Sequence, residues 1–296
     1  MACCYVVERQ RDVAIIEAGT SLGVPRLLAL LAARNIAFER VRYVVVTHVH
    51  LDHAGGAGAL MAALPNAELI VHPRGARHMV DPSQLIAGAT AVYGAAAIAE
   101  KYGDIQAAPE QRVLSAPDGT SLPFGEHALL IMDSPGHAKH HFSVWDSVSQ
   151  GFFTGDTFGL SYREFDDAHG PWIMPTTTPV QFEPEAWQLT LERYLSFNPQ
   201  RMFLTHFGMV ENVPALAARL SAGLKRYVAL GEHLASADNR HQKLRAAMLD
   251  DALKELNARH NPLTDEQVWA LLEMDLELNA QGMGVWLDRQ QKGKSA

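Results

Sequence analysis

Residues 47–53 read Thr-His-Val-His-Leu-Asp-His and place four metal-ligating side chains within six positions. The segment follows the apolar run Tyr43 to Val46 and precedes Gly55 and Gly56, a pattern that predicts a loop between a strand and a helix. Imidazole and carboxylate groups in such a loop are held by a rigid strand and stay within reach of solvent. A motif this short also arises by chance, so the prediction depends on support from elsewhere in the chain.

Three further segments give that support. Each follows an apolar run and carries one ligand-type residue: His137 after Ser-Pro-Gly, Asp156 after Phe-Thr-Gly, and His206 after Leu-Thr. Imidazole and carboxylate ligands suit zinc, iron or manganese, and seven such residues are too many for one four-coordinate site with an open position. We therefore predict two divalent metal ions, zinc in the first place and iron or manganese as alternatives.

With Glu17 to Thr20, these segments form five ordered motifs, and over about residues 5–210 the sequence resembles the metallo-β-lactamase superfamily of hydrolases. The resemblance implies an α+β fold of the αββα sandwich type. It also implies two sets of ligands and a shared one. The first metal would be bound by His48, His50 and His137. The second would be bound by Asp52, His53 and His206. Asp156 would bridge the two ions.

The first motif departs from the family pattern, which usually has an aspartate where Glu17 stands. A carboxylate that orients metal ligands typically changes metal affinity by about 10 to 100-fold when it is removed. Because the glutamate side chain is only one methylene longer, we expect Glu17 to reach the ligands and give a slightly shifted support. Among the residues directly after His137, we expect His141 to support the ligands and not to bind metal.

The organisation of the chain changes near Asn212. Short apolar runs alternate with helical patterns before it, including a predicted helix from Pro25 to Arg34. Helical periodicity dominates after it, over Pro214 to Leu234, Gln242 to Ala258 and Asp265 to Leu287. We predict a catalytic domain over residues 1–212 and a C-terminal helical extension over residues 213–296.

The extension carries an apolar stripe that needs a covering surface. Its members recur at helical spacing: Leu216, Leu220, Leu224, Tyr227 and Leu230. The stripe would be covered either by the rest of the chain, where the extension would overhang the active site, or by a second copy in a homodimer.

Two divalent ions bring the pKa of a shared water towards neutrality, so the predicted nucleophile is a metal-bound hydroxide, with Asp52 and Asp156 in the catalytic site. No phosphate-binding loop of the form G-x-x-x-x-G-K-[ST] competes with this prediction. In the segment from Phe158 to Trp172, we expect Tyr162 to donate a hydrogen bond to the substrate and Arg163 to bind a carboxylate or phosphate. The alternative is a packed loop without a catalytic role.

The resulting prediction is a hydrolase of a small ester, thioester or lactone. A phosphodiesterase with the same metal site and a non-catalytic metal-binding module are the alternatives. A diiron oxidoreductase is disfavoured, because related flavin-linked diiron proteins usually carry glutamate at the position of His50.

The composition limits the classes of partner and the cellular compartment that we expect for this protein. A net charge of −8 and a pI near 5.9 disfavour nucleic-acid binding, so a small-molecule substrate is expected. No apolar run is long enough for a membrane span, and membrane association is not expected. The two cysteines, Cys3 and Cys4, are adjacent and cannot form an unstrained disulfide with each other, which favours a reducing, cytoplasmic location.

Overall fold

The computed structural model describes residues 2–294, with only the backbone described at 92, 93, 293 and 294. The chain forms two compact units. The first contains the described residues up to Ser134, together with His140–Gly155 and Gln200–Met209. The second contains Pro135–Lys139, Asp156–Pro199 and the described residues from Val210 onward.

Eleven strands form two sheets in the described part of the chain. In chain order they are β1 (Tyr5–Arg9), β2 (Asp12–Ile16), β3 (Val41–Val45), β4 (Glu68–Val71), β5 (Val113–Ser115), β6 (Ser121–Phe124), β7 (His127–Asp133), β8 (Phe142–Asp146), β9 (Gly151–Phe153), β10 (Arg201–Leu204) and β11 (Gly208–Glu211). One sheet has the order β1-β2-β3-β4-β5, and β2 to β5 are parallel. The other has the order β11-β10-β9-β8-β7-β6, with β9 and β10 parallel and β6 to β9 antiparallel.

Ten α-helices accompany the strands over the same described residues. They are α1 (Val24–Ala33), α2 (Leu51–Ala54), α3 (Ala57–Ala63), α4 (Ala76–Val80), α5 (Ser83–Tyr93), α6 (Ala95–Tyr102), α7 (Pro184–Ser196), α8 (Val213–Leu234), α9 (Arg240–Ala258) and α10 (Asp265–Lys294). The predicted helix Pro25 to Arg34 is thus α1, shifted by one residue. Of the helices that the structure describes, none is both long and apolar enough to cross a membrane.

The central strands β2 to β4 of the first sheet are buried on both faces, which explains their nearly continuous apolar sequences. Successive side chains point to opposite faces, so Ile15 and Val44 pack with α1 and α3 in one core. Their neighbours Ile16 and Val45 pack in a second core with side chains of β6 to β9. The second core therefore lies between the two sheets, and the predicted α+β sandwich with C-terminal helices is confirmed.

The helices of the second unit bury the stripe predicted on α8. Leu216, Leu220, Leu224 and Tyr227 are each at most 2% exposed within a single chain, and Leu230 is partly exposed. Burial also raises the pKa of Tyr227 above that of an ordinary tyrosine. The stripe is thus covered without a second copy, and the homodimer stays a prediction.

The C-terminal part of the second unit also contacts the segment that follows Asp156. Arg259, after the end of α9, donates to both carboxylate oxygens of Asp167 at 2.7 and 2.8 Å and to the carbonyl of Gly170. The hydrogen bonds from Arg259 lower the pKa of Asp167 below its usual range. Because of such contacts, residues 156–199 belong to the second compact unit, although the prediction put them in the first domain. The functional division at 212/213 stays a prediction, and its ends at Met1, Ser295 and Ala296 lie outside the described residues.

Candidate metal centre

The histidine-rich loop is shaped by the end of β3 and one short helix. His50 has extended backbone angles and caps α2, and its carbonyl accepts the main-chain N–H groups of His53 and Ala54 at 3.0 and 2.9 Å. This single turn puts Asp52 and His53 next to each other in the first turn of the helix. The predicted strand-to-helix loop is therefore confirmed.

Asp52, His53 and His206 form a cluster in the first unit. An Asp52 carboxylate oxygen lies 3.5 Å from His53 Nε2 and 3.4 Å from His206 Nε2. The three ligand atoms are all within 4.8 Å of one another. His53 is fully buried, whereas the side chains of Asp52 and His206 are 38% and 16% exposed, so solvent reaches one side of the cluster.

Glu17 lies behind this cluster and is itself buried. One of its carboxylate oxygens is 3.0 Å from His53 Nδ1 and accepts hydrogen bonds from the hydroxyls of Thr47 and Thr205 at 2.5 and 3.0 Å. The other accepts the Thr47 main-chain N–H at 3.2 Å. The longer side chain therefore does reach a predicted ligand, as expected from the sequence.

His48 and His50 approach each other in the same unit. His48 Nε2 is 2.9 Å from His50 Nδ1, and His48 Nδ1 is 3.1 Å from the Thr47 hydroxyl. The rings of His48 and His53 have centroids 4.0 Å apart. Five of the seven predicted ligands thus lie together in the first unit.

The other two predicted ligands meet in the second unit. His137 Nε2 is 3.5 Å from an Asp156 carboxylate oxygen, and His137 Nδ1 is 2.9 Å from the Thr176 carbonyl oxygen. His137 follows Gly136, which has φ +138° and where a Cβ atom would lie 2.5 Å from Trp187 Cβ. A glycine is therefore needed for this turn to bring His137 to its place.

The donor set of Asp52, His53 and His206 fits a divalent metal ion. His53 and His137 each turn Nδ1 towards a fixed protein oxygen, which leaves Nε2 as the lone-pair donor, the usual arrangement of metal-binding histidines. For bonds of about 2.0 to 2.2 Å in tetrahedral geometry, two ligand atoms lie about 3.3 to 3.6 Å apart. The separations of 3.4 and 3.5 Å around Asp52 agree with that geometry. The assignment of individual residues to two ions and the bridging role of Asp156 stay predictions.

His141 occupies the supporting position expected from the sequence. Its Nδ1 lies 2.8 Å from the Ser134 hydroxyl, and its ring centroid lies 4.8 Å from that of His48. A Cβ atom at Gly155, which has φ +50°, would overlap His141 Nε2. His141 is thus packed behind the predicted ligands of its unit.

Thr47, Thr205 and Thr176 are parts of this arrangement that sequence reasoning missed. Thr47 and Thr205 each precede a predicted ligand histidine, and both donate a hydrogen bond to Glu17. The repeated Thr-His pair in the sequence could therefore have indicated that these threonines support the ligands. Thr176 acts through its main-chain carbonyl, which no residue pattern reveals.

Tyr162 and Arg163 make contacts within the second unit. The buried Tyr162 hydroxyl donates to the carboxylate of Asp275 on α10, and burial, with the nearby Asp275, raises the pKa of Tyr162. Arg163 Nη1 lies 3.3 Å from a carboxylate oxygen of Asp166, and the Arg163 guanidinium also donates to the Ser161 hydroxyl. Nothing in these contacts tests their catalytic assignment, which stays a prediction.

We expect Tyr162→Phe to lower the free energy of unfolding by about 1.5–3 kcal/mol, because it removes one buried hydrogen bond to a charged group. Urea denaturation would measure this loss. The same variant tests the catalytic prediction: a fall in kcat of about 100-fold in the folded protein would support it, since general acids contribute at least that much. An unchanged kcat would show that the hydroxyl serves Asp275 alone.

Comparison with known proteins identifies the family. The model of the metallo-beta-lactamase superfamily matches residues 2–206, and the chain belongs to this superfamily. The metallo-beta-lactamase fold-containing protein ST1585 of Sulfurisphaera tokodaii is 25% identical over 214 residues, which are 71% of this chain and 74% of that protein.

Solved structures share the fold. The crystal structure of ST1585 from Sulfolobus tokodaii covers 95% of this chain and 92% of its own, with a TM-score of 0.64 and 20% identity. A metallo-beta-lactamase family protein of Thermus thermophilus, TTHA1429, covers 97% of this chain and 88% of its own, with a TM-score of 0.67 and 17% identity. TTHA1623, solved in a di-iron-bound form, covers 73% of this chain and 91% of its own, with a TM-score of 0.50 and 24% identity.

Proposed function

We propose that this member of the metallo-beta-lactamase superfamily hydrolyses a small ester, thioester or lactone with the help of two divalent metal ions. The observation that carries the proposal is the cluster of Asp52, His53 and His206, held from behind by the buried carboxylate of Glu17. Family membership supports the same conclusion, because the matched residues 2–206 contain all seven predicted ligands.

The chain's own residues would prepare the reaction in three ways. Glu17 orients His53, and the Thr176 carbonyl orients His137, so both imidazoles present Nε2 as a ligand atom. Asp52 and Asp156 supply the negative charge that balances bound cations. When bound, a pair of divalent ions would supply a hydroxide nucleophile at neutral pH and stabilise the negative charge that develops on the substrate oxygen.

Zinc is the first choice for these ions, since tetrahedral imidazole and carboxylate sites suit it. Iron and manganese accept the same ligands. The structural similarity to TTHA1623, which was solved in a di-iron-bound form, supports keeping iron as the alternative. Reconstitution of the metal-free protein with each metal separately would therefore precede the activity assays.

The proposal is tested with a substrate panel of acyl thioesters, lactones, aryl esters and bis-aryl phosphodiesters. We expect turnover of a carboxyl-type substrate that disappears in His206→Ala and persists in His233→Ala, which removes an exposed histidine from α8. A preference for the phosphodiester of more than about tenfold in kcat/KM, roughly 1.4 kcal/mol of transition-state discrimination, would favour the phosphodiesterase alternative. Metal-loaded protein that turned over none of these substrates would contradict the proposal.

A further inference from the structure

The C-terminal helix α10 carries a buried asparagine that uses both ends of its side-chain amide. Asn279 is 2% exposed. Its Oδ1 accepts the main-chain N–H of Thr177 at 2.6 Å, and its Nδ2 donates to the Pro175 carbonyl at 3.0 Å. The Asn279 main-chain carbonyl also accepts the Thr177 hydroxyl at 2.9 Å. Asn279 therefore holds the main chain on both sides of Thr176.

Thr176, between these two anchored residues, contacts both predicted metal ligands of the second unit. Its carbonyl oxygen lies 2.9 Å from His137 Nδ1, and its hydroxyl donates to the Asp156 main-chain carbonyl at 2.9 Å. The carbonyl decides which nitrogen of His137 carries the proton, and so which nitrogen can bind a metal. The direction of that carbonyl is fixed by the peptide groups that Asn279 holds.

The close packing of α10 is a second constraint on residues 175–178, in addition to the hydrogen bonds of Asn279. Gly282 lies three residues after Asn279, on the same face of the helix. A Cβ atom at Gly282 would overlap the carbonyl oxygen of Thr177. The helix thus approaches residues 175–178 so closely that only glycine fits, and Asn279 has little freedom to leave its partners.

We propose that Asn279 is a positioning residue for the metal centre, acting through Thr176 on His137 and Asp156. The inference rests on the proposed metal-dependent function. It assigns the C-terminal helix a part in metal binding, in addition to covering apolar surface. The order of action is Asn279 to the main chain at 175–177, then the Thr176 carbonyl to the His137 ring.

The test compares Asn279→Leu with Leu276→Ala, a control that removes a fully buried apolar side chain from α10 about one turn earlier and deletes no side-chain hydrogen-bonding group. Zinc affinity is measured by competition with a chromophoric chelator, and the cobalt-substituted proteins are compared by visible absorption. We expect zinc affinity to fall by about 10 to 100-fold in Asn279→Leu, with altered cobalt bands, and both to stay unchanged in Leu276→Ala.

Unchanged affinity and bands in Asn279→Leu would overturn the inference, as would an equal loss in Leu276→Ala. If Asn279→Leu did not fold, Thr177→Val would take its place, because it removes only the hydrogen bonds that the Thr177 hydroxyl donates to the main-chain carbonyl and Oδ1 of Asn279, at 2.9 and 3.2 Å. A shifted cobalt spectrum in that variant would support the inference, and a parental spectrum would contradict it. A parent protein that bound none of zinc, iron and manganese would instead refute the proposed function itself, so the two failures can be told apart.

Discussion

Replacement of Asp156 by alanine is expected to abolish hydrolysis and to release metal. The predicted role of its carboxylate is to touch both ions, so its loss should lower metal affinity by more than about 100-fold, beyond the effect of a supporting residue. We expect kcat/KM to fall by at least about 10³-fold, since one misplaced stabilising group already costs about 10² to 10³. Metal content after gel filtration and kcat/KM on the best substrate would measure both effects.

Two variants control this experiment. Asp156→Asn keeps the size of the side chain and one oxygen ligand, so it should retain more metal than Asp156→Ala. Asp238→Ala removes an exposed aspartate beyond the end of α8 and should behave as the parent protein. Retained activity in Asp156→Ala would be the most damaging result, because no bridging role could then be assigned to this residue.

Glu17→Gln is expected to have the second large effect. The carboxylate accepts hydrogen bonds from the Thr47 N–H and from the hydroxyls of Thr47 and Thr205, and it orients His53. An amide of the same shape turns one acceptor into a donor, and each buried donor left without an acceptor costs about 1–3 kcal/mol. We expect zinc affinity to fall by about 10 to 100-fold and the free energy of unfolding to decrease.

Glu17→Asp is the matched control, since it keeps the carboxylate and introduces the residue usual in the family. The backbone at this position has φ +69°, a conformation that aspartate adopts more readily than glutamate. We therefore expect Glu17→Asp to keep most of the zinc affinity that Glu17→Gln loses. Equal affinities in Glu17→Gln and the parent would show that His53 needs no carboxylate behind it.

The loop at residues 47–53 could be predicted from the sequence because its signal is local. An apolar strand, a run of ligand-type residues and two glycines follow one another, and each limits the conformation of the next. The turns at Gly136 and Gly155 could also be predicted from a local pattern, because each glycine directly precedes a predicted ligand. Ile15 and Ile16 pack in different cores. This alternation can be predicted from the sequence, because successive side chains of a strand point to opposite faces.

The contacts of the second unit could not be predicted in this way. The Thr176 carbonyl, the Asn279 amide and the Tyr162 hydroxyl act through hydrogen bonds between residues about 40 to 110 positions apart, and such bonds leave no periodic pattern. The predicted end of α10 was too early, because a long-range contact also supports its last turns. Its polar last turns continue to Lys294, past the predicted end at Leu287, and Arg289 anchors them by donating to the Phe182 carbonyl at 2.5 Å.

This chain is predicted to hold two metal ions on its seven predicted ligands. The most direct measurement is anomalous diffraction from a crystal of the zinc-reconstituted protein. We predict two anomalous peaks per chain, one of them about 2.0 to 2.2 Å from ligand atoms of Asp52, His53 and His206. A single peak, no peak, or ligand atoms of Asp52 and His206 more than about 4 Å from any ion would contradict the claim.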